Sequence, residues 1–351
     1  MTTTRAALGR AASRGGAAEP GAIRIEPAVD LEAELPAMWA VADAARRADG
    51  ELDRNTLEGF RAFYRNLEHC DPATDLVIAR AGDELVGYAR VQWSDTTDGE
   101  RWYESACFVH PEWRRRGLGT RFLAWTEARR AEIAAEHART GLDSDHSRSL
   151  VTFNHDGDVG GDALLRSAGY EPFRVFYSML RPDLDDIPEH PLPAGLEVRP
   201  IAPDEASIRA VIAADTEAFQ DHFGSLDDVD TVVRQIIGDP DTDVSLWVVA
   251  FEGDEIAGAV LNGIRDDHAD VRAGWLDSVF TRRPWRQRGL ARALISRSLE
   301  LLRSRGVASA SLGVDAANRN QALALYESCG FRVSSTTTAF RKALPDGRAR
   351  R

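Results

Sequence analysis

The sequence predicts an α/β protein of two tandem domains, each a mixed, mostly antiparallel sheet flanked by helices. Three observations carry this reading. The chain has 351 residues, long enough for two ordinary domains. Laid on itself with an offset of 172, "ESACFVHPEWRRRGLG" (104–119) falls on "LDSVFTRRPWRQRGLA" (276–291). Phe108, Trp113, Arg114, Arg116, Gly117 and Leu118 then match Phe280, Trp285, Arg286, Arg288, Gly289 and Leu290, and one pattern appearing twice in a chain of this length is a duplication. Finally, strand-like and helix-like periodicities follow one another in the same order in both copies.

Each half opens on a short strand, "AIRIEPA" (22–28) or "LEVRPIA" (196–202), followed by helical segments. Two β-rich runs come next, 75–93 and 245–263, each broken by a Gly-Asp-Glu turn at Gly82–Glu84 or Gly253–Glu255. A third strand leads into the arginine turn. After it, Leu290, Leu294, Leu301 and Leu302 mark one face of a long helix in the second copy, and "RSRG" (303–306) reads as its glycine-capped end. A strand (308–314), a helix (319–329) and a last strand (331–340) finish that half, and "LLRSAGYEPFR" (164–174) answers "LYESCGFRVSS" (325–335). The joint falls in "RPDLDDIPEHPLPAG" (181–195), whose prolines and acids read as an exposed linker. The predicted organisation is a disordered tail (1–20), a first domain (21–182), a linker (183–194), a second domain (195–345) and a short tail (346–351).

Composition narrows the function classes. With 43% hydrophobic and 28% charged residues the chain reads as globular, and no apolar run approaches the ~20 residues of a membrane span. The first twenty residues lack the apolar core of a secretory signal, so a cytoplasmic protein is expected. Cys70, Cys107 and Cys329 form no spaced set, which suggests neither disulfides nor a metal site. The net charge of −13 argues against nucleic-acid binding and mildly favours cationic partners such as amines.

A strand feeding Arg-x-x-Gly-x-Gly/Ala and then a helix aims several backbone N–H groups one way, and the helix dipole adds positive potential. Such a turn suits a phosphate or pyrophosphate, with arginines adding charge-assisted contacts. It lacks the Gly-Lys-Ser/Thr of a P-loop, and neither copy opens a βαβ unit with an acidic residue about 20 positions later.

Arg286-Gln287-Arg288-Gly289-Leu290-Ala291, followed downstream by "NRNQALALYESCGF" (318–331), resembles the GCN5-related N-acetyltransferase (GNAT) superfamily. The tandem layout is similar to that of the mycothiol synthase group within it. The resemblance implies that Arg286 to Ala291 bind the pyrophosphate of acetyl-CoA, that Asn318 belongs to a second coenzyme motif, and that Tyr326 protonates the departing thiolate. It implies equally that backbone N–H groups of Val279, Phe280 and Thr281 polarise the thioester carbonyl. Asp277 is the leading candidate for the base, with Asp221 and His222 as substrate-facing alternatives. The expected reaction is acetyl transfer to a primary amine of a small-molecule acceptor, mycothiol-precursor-like ones included, or of a peptide.

The copies differ where the chemistry lies. Four residues before Gly169 stands Leu165 in place of a tyrosine, and Gly157 falls where Asn318 would. Arg114, Arg116, Gly117 and Gly119 keep the turn, so the first half is expected to support the second and to bind the coenzyme weakly if at all. The competing reading is a non-catalytic acyl-CoA sensor or interaction module, against which Tyr326 speaks.

Overall fold

The computed structural model describes residues 22–51, 56–96, 99–142, 146–220, 229–266, 272–317 and 322–344. The predicted tails lie outside them. The first half runs β1 (Ile23–Pro27), α1 (Leu31–Asp49), α2 (Leu57–Arg65), the one-turn α3 (Pro72–Asp75), β2 (Leu76–Ala81), β3 (Glu84–Asp95), β4 (Glu100–Val109), α4 (Leu118–Thr140), β5 (Ser147–His155), α5 (Val159–Ser167) and β6 (Glu171–Arg181). The second runs β7 (Glu197–Arg199), α6 (Glu205–Phe219), α7 (Val229–Gly238), β8 (Val248–Glu252), β9 (Glu255–Asp266), β10 (Arg272–Thr281), α8 (Leu290–Ser304), β11 (Ser309–Asp315), α9 (Ala322–Ser328) and β12 (Arg332–Ala343). No helix among the described residues is long and apolar enough to cross a membrane.

Local chemistry sets the boundaries. Asp30 and Asp204 cap α1 and α6 by accepting from Ala33 N and Ser207 N, and Gly50, at φ 76°, closes α1. In α8, Leu290, Leu294 and Leu302 are buried and Leu301 packs beside them, so the leucine face looks into the core as its spacing predicts.

The twelve strands of the described residues join one sheet in the order β1-β2-β3-β4-β5-β12-β6-β11-β10-β9-β8-β7. Among the described residues, β4–β5 and β10–β11 are the parallel pairs. The last strand of each half crosses to the other: β12 lies against β5, β6 lies against β11, and the two pair with each other in the middle. Each half's sheet is thus completed by the other half's final strand.

The 181–195 segment, expected to run exposed, is strapped to the second half instead. Leu184 is buried in that half's core and Ile187 packs against it. The Arg181 guanidinium donates to the carbonyls of Asp183 and Asp186, the Ser296 hydroxyl to Pro188 O at 2.6 Å, and Arg297 to His190 O at 3.1 Å. Leu184, Ile187 and Leu192 among prolines and acids make too sparse a pattern to show as periodicity.

Expressed separately, residues 22–182 and 195–344 each leave one strand edge uncovered and one final strand without either of its two partners. Each alone should aggregate or dimerise by exchanging that strand, and coexpression should give a one-to-one complex by size-exclusion chromatography with light scattering. Stable monomers of either half would show the exchange to be dispensable.

Candidate functional site

Parallel pairing of β4 with β5 stops at Ser105–Thr152, although β4 continues to Val109 and β5 to His155. Likewise β10 leaves β11 after Leu276–Leu312 and runs on to Thr281. Each half therefore opens into a V whose inner edges carry backbone groups outside the ladder. Val279, Phe280 and Thr281 lie on the β10 arm, paired with β9 on their other edge only.

At the mouth of each V sits the arginine turn. Arg115 and Gly117 have φ of 63° and 79°, and Gln287 and Gly289 have 61° and 87°. Left-handed residues alternating in this way turn successive N–H groups toward one point, an anion-binding concavity. Gly117 and Gly289 are the N-caps of α4 and α8, make no side-chain cap, and have open space where a Cβ would stand. Helices of 23 and 15 residues thus present their N-termini to solvent just where the turn converges. Leu118 and Leu290, both buried, pin the first turn, with Gly119 and Ala291 beside them.

The arginines divide the work differently from the sequence expectation. Arg114 grips the Asp49 carboxylate with two bonds of 2.6 and 2.7 Å and reaches Val109 O and Ala45 O. Arg286 donates to Thr281 O at 3.0 Å and Ala218 O at 2.8 Å. Both tie a strand end to the C-terminal end of a helix, α1 or α6, and their guanidinium groups are spent on the scaffold instead of facing a phosphate. Arg116 and Arg288 stay exposed: Arg116 lies over the Trp113 ring and donates to Glu112 O at 3.1 Å, and Arg288 donates, among the described residues, to Ala194 O at 3.2 Å. Gln287 is exposed as well.

The first half holds a cleft of about 1020 Å³ between β4, β5 and the start of α4. At its floor Asn154 braces the following turn through His155 O and Asp158 O. His155 accepts from Gly157 N on Nδ1, which leaves Nε2–H as a buried donor with no partner among the described residues. A Cβ on Gly157 would fall 1.9 Å from Asp49 O, so close helix approach explains this glycine. Leu165 packs with Leu150, Tyr170 and Phe340.

In the second half Tyr326, on α9, is 7% exposed with its ring edge-on to Phe331, and its hydroxyl bonds to no described residue. Burial, with Cys329 adding to it, pushes the phenol up to about 12, so it carries its proton at neutral pH. Asn318, Asp221 and His222 lie outside the described residues. Asp277 is exposed and occupies a β-bulge: the β9 register slips by one residue between Leu276 and Ser278, while β4 pairs with β3 without interruption. The residue that sequence reading missed is Asp215 on α6. Its carboxylate accepts a hydrogen bond from the Ser278 hydroxyl, and burial pushes it up to about 6. The signal was present: aligning α6 with α1 at an offset of 173 sets Asp215 opposite Ala42.

Comparisons with known proteins show the family and the fold. The model of the Acetyltransferase (GNAT) family matches twice, at residues 39–150 and 209–331. A mycothiol acetyltransferase of Streptomyces scabiei is 31% identical over 92% of this chain and 96% of its own, and one of Thermobispora bispora is 31% identical over 87% and 95%. Among solved structures, a GCN5-related N-acetyltransferase from Sphaerobacter thermophilus is similar with a TM-score of 0.67 at 28% identity, covering 92% of this chain and 95% of that one. A tandem GNAT protein from the clavulanic acid biosynthesis pathway shares the fold, with a TM-score of 0.64 at 20% identity, over 93% of this chain and all of that one.

Arg286→Ala should lower Tm, since two carbonyls lose their donor at a cost of about 1–3 kcal/mol. Arg288→Ala should leave Tm nearly unchanged and weaken coenzyme A binding in a fluorescence titration. Equal behaviour of the two variants in both measurements would contradict the division of roles.

Proposed function

The chain belongs to the GNAT acetyltransferase family, and on that premise we propose that its second half transfers the acetyl group of acetyl-CoA to a primary amine. The single observation that carries this is the joint presence, in that half alone, of the glycine turn and a buried, protonated tyrosine four residues before the glycine that follows the last helix, Tyr326 before Gly330, where the first half has Leu165 before Gly169. The acceptor is a small molecule or a peptide N-terminus, and the relatives' name makes an amine of the mycothiol-precursor type the first to try.

The residues present fit the coenzyme. The N–H groups of Gln287 to Ala291 and the α8 N-terminus hold the pyrophosphate, with Arg288 at its edge. The inner edge of Val279 to Thr281 supplies N–H groups to the thioester oxygen, fixed before the reaction by pairing with β9. Asn318 is assigned, by family resemblance, to the second coenzyme motif. Tyr326 gives its proton, or a hydrogen bond, to the departing sulfur; a thiol is the stronger acid, so the bond alone eases departure.

The first half keeps the turn at Arg114 to Gly119 and a wide cleft, but has Leu165 where the proton donor would stand. We assign it coenzyme binding without turnover. The sensor reading is supported for that half alone.

Thiol release from acetyl-CoA against a panel of amines tests the whole. Tyr326→Phe should lower kcat by about 10²- to 10³-fold with the acetyl-CoA KM little changed, and Leu165→Tyr should leave turnover at the wild-type level. Acetyl-CoA binding with no amine-dependent release from wild-type protein would overturn the transferase assignment.

A further inference from the structure

Asp215 lies near the C-terminal end of α6, its carboxylate largely buried. Its one hydrogen bond to a described residue comes from the Ser278 hydroxyl. No arginine or lysine among those residues pairs with it. Arg282 is taken by Glu217, Arg286 by two carbonyls, Arg209 by Glu205 and Asp230, and Arg234 by Glu68. From β10 the other charged neighbour is Asp277, and Asp204 lies at the far end of α6. A buried carboxylate with one neutral donor is costly to keep.

The fold does not require it. Leu35, Met38, Val41 and Ala45 of α1 are buried at the places of Ile208, Val211, Ala214 and Ala218 of α6, and Ala45 and Ala218 accept from the equivalent arginines. This alignment puts Ala42, 1% exposed, at the Asp215 position. Beyond the bulge, Ala106 takes the place of Ser278. The same helix-to-strand contact is therefore built from two alanines in the half with Leu165, and from Asp215 and Ser278 in the half with Tyr326.

Position adds the direction. Ser278 sits between the bulge residue and Val279, on the arm of β10 that has left β11. Resting on the transferase reading, we infer that Asp215, oriented by Ser278, is the general base that deprotonates the acceptor ammonium. The carboxylate takes one N–H proton. The freed lone pair forms the C–N bond as the C–S bond breaks, and Tyr326 protonates the sulfur. The second nitrogen proton returns through water to Tyr326, and Asp215 releases its own to solvent. Asp277, exposed in the bulge, is relieved of the role.

Burial pushes Asp215 up to about 6 while the Ser278 bond draws it down. The carboxylate must be ionised to act, so activity rises with pH through about 6. The decisive experiment is amine-dependent thiol release between pH 5 and 9 for wild type, Asp215→Asn, Asp277→Asn and Ser278→Ala. Asp215→Asn should lose about 100-fold or more in kcat, keep its acetyl-CoA KM and lack the acidic limb. Ser278→Ala should move the limb to higher pH. Activity of Asp215→Asn within threefold of wild type, or a limb erased by Asp277→Asn and kept in Asp215→Asn, would overturn the assignment. No amine-dependent release from wild type would sink the transferase reading first and the base with it. Thermal melts separate folding from chemistry. The folded-state pKa is raised, so the cost of ionising Asp215 is absent below about pH 4 and complete above about 6. The amide should therefore raise Tm at pH 7.5 and leave it alone at pH 4; a fall at both would make Asp215 a structural bond and overturn its role.

Discussion

The antiparallel pairing of β6 with β12 is the contact on which the rest of the molecule depends. Each V-shaped opening exists because a parallel strand, β5 or β11, leaves its neighbour, and that strand must then be held from its other side. The holding strand comes from the opposite half. β12 runs the length of β5 as far as Thr337–His155, and β6 holds β11 as far as Phe176–Asp315, where Arg174 also clasps Asp315. The first half thus contributes to the second half's cleft whether or not it does any chemistry.

Within that shared frame the halves keep the same supports and diverge elsewhere. Gly87 and Gly258 occur where β3 and β9 meet the carbonyls of Phe108 and Phe280, at 2.9 and 2.6 Å from a notional Cβ, and admit Leu118 and Leu290. Arg114 and Arg286 lock the same turn to the same helix. The divergences gather around the opening of the V: Tyr326 against Leu165, Asp215 against Ala42, Ser278 against Ala106, and a bulge on β10 that β4 lacks. The turn and the strand exchange are held by packing in both halves.

A deeper difference lies beneath the V. In the first half the fully buried Arg130 bridges β4 and β5 by donating to Tyr103 O and Val151 O, and reaches Thr126 O and the Tyr170 hydroxyl. At the matching place on α8 stands Leu302, packed against Gly274. A cation with a partner for each of its three nitrogens and a leucine set on a glycine fill the same space by opposite means.

The sequence by itself determined the duplication, the order of elements, the two glycine turns ahead of α4 and α8, and the asymmetry between Tyr326 and Leu165. These are local matters: side-chain periodicity, glycines where φ must be positive, and fixed spacing from Gly169 and Gly330. Only the tertiary structure decided which final strand lies beside which neighbour, because β6 and β12 are both β-rich and alternation does not name a partner. It alone assigned Arg114 and Arg286 to the scaffold, since their acceptors are carbonyls and a carboxylate on distant helices. It alone drew attention to Asp215, an ordinary acid on a helix until β10 packs across it, and withdraws it from water to leave a single serine hydroxyl as its partner among the described residues.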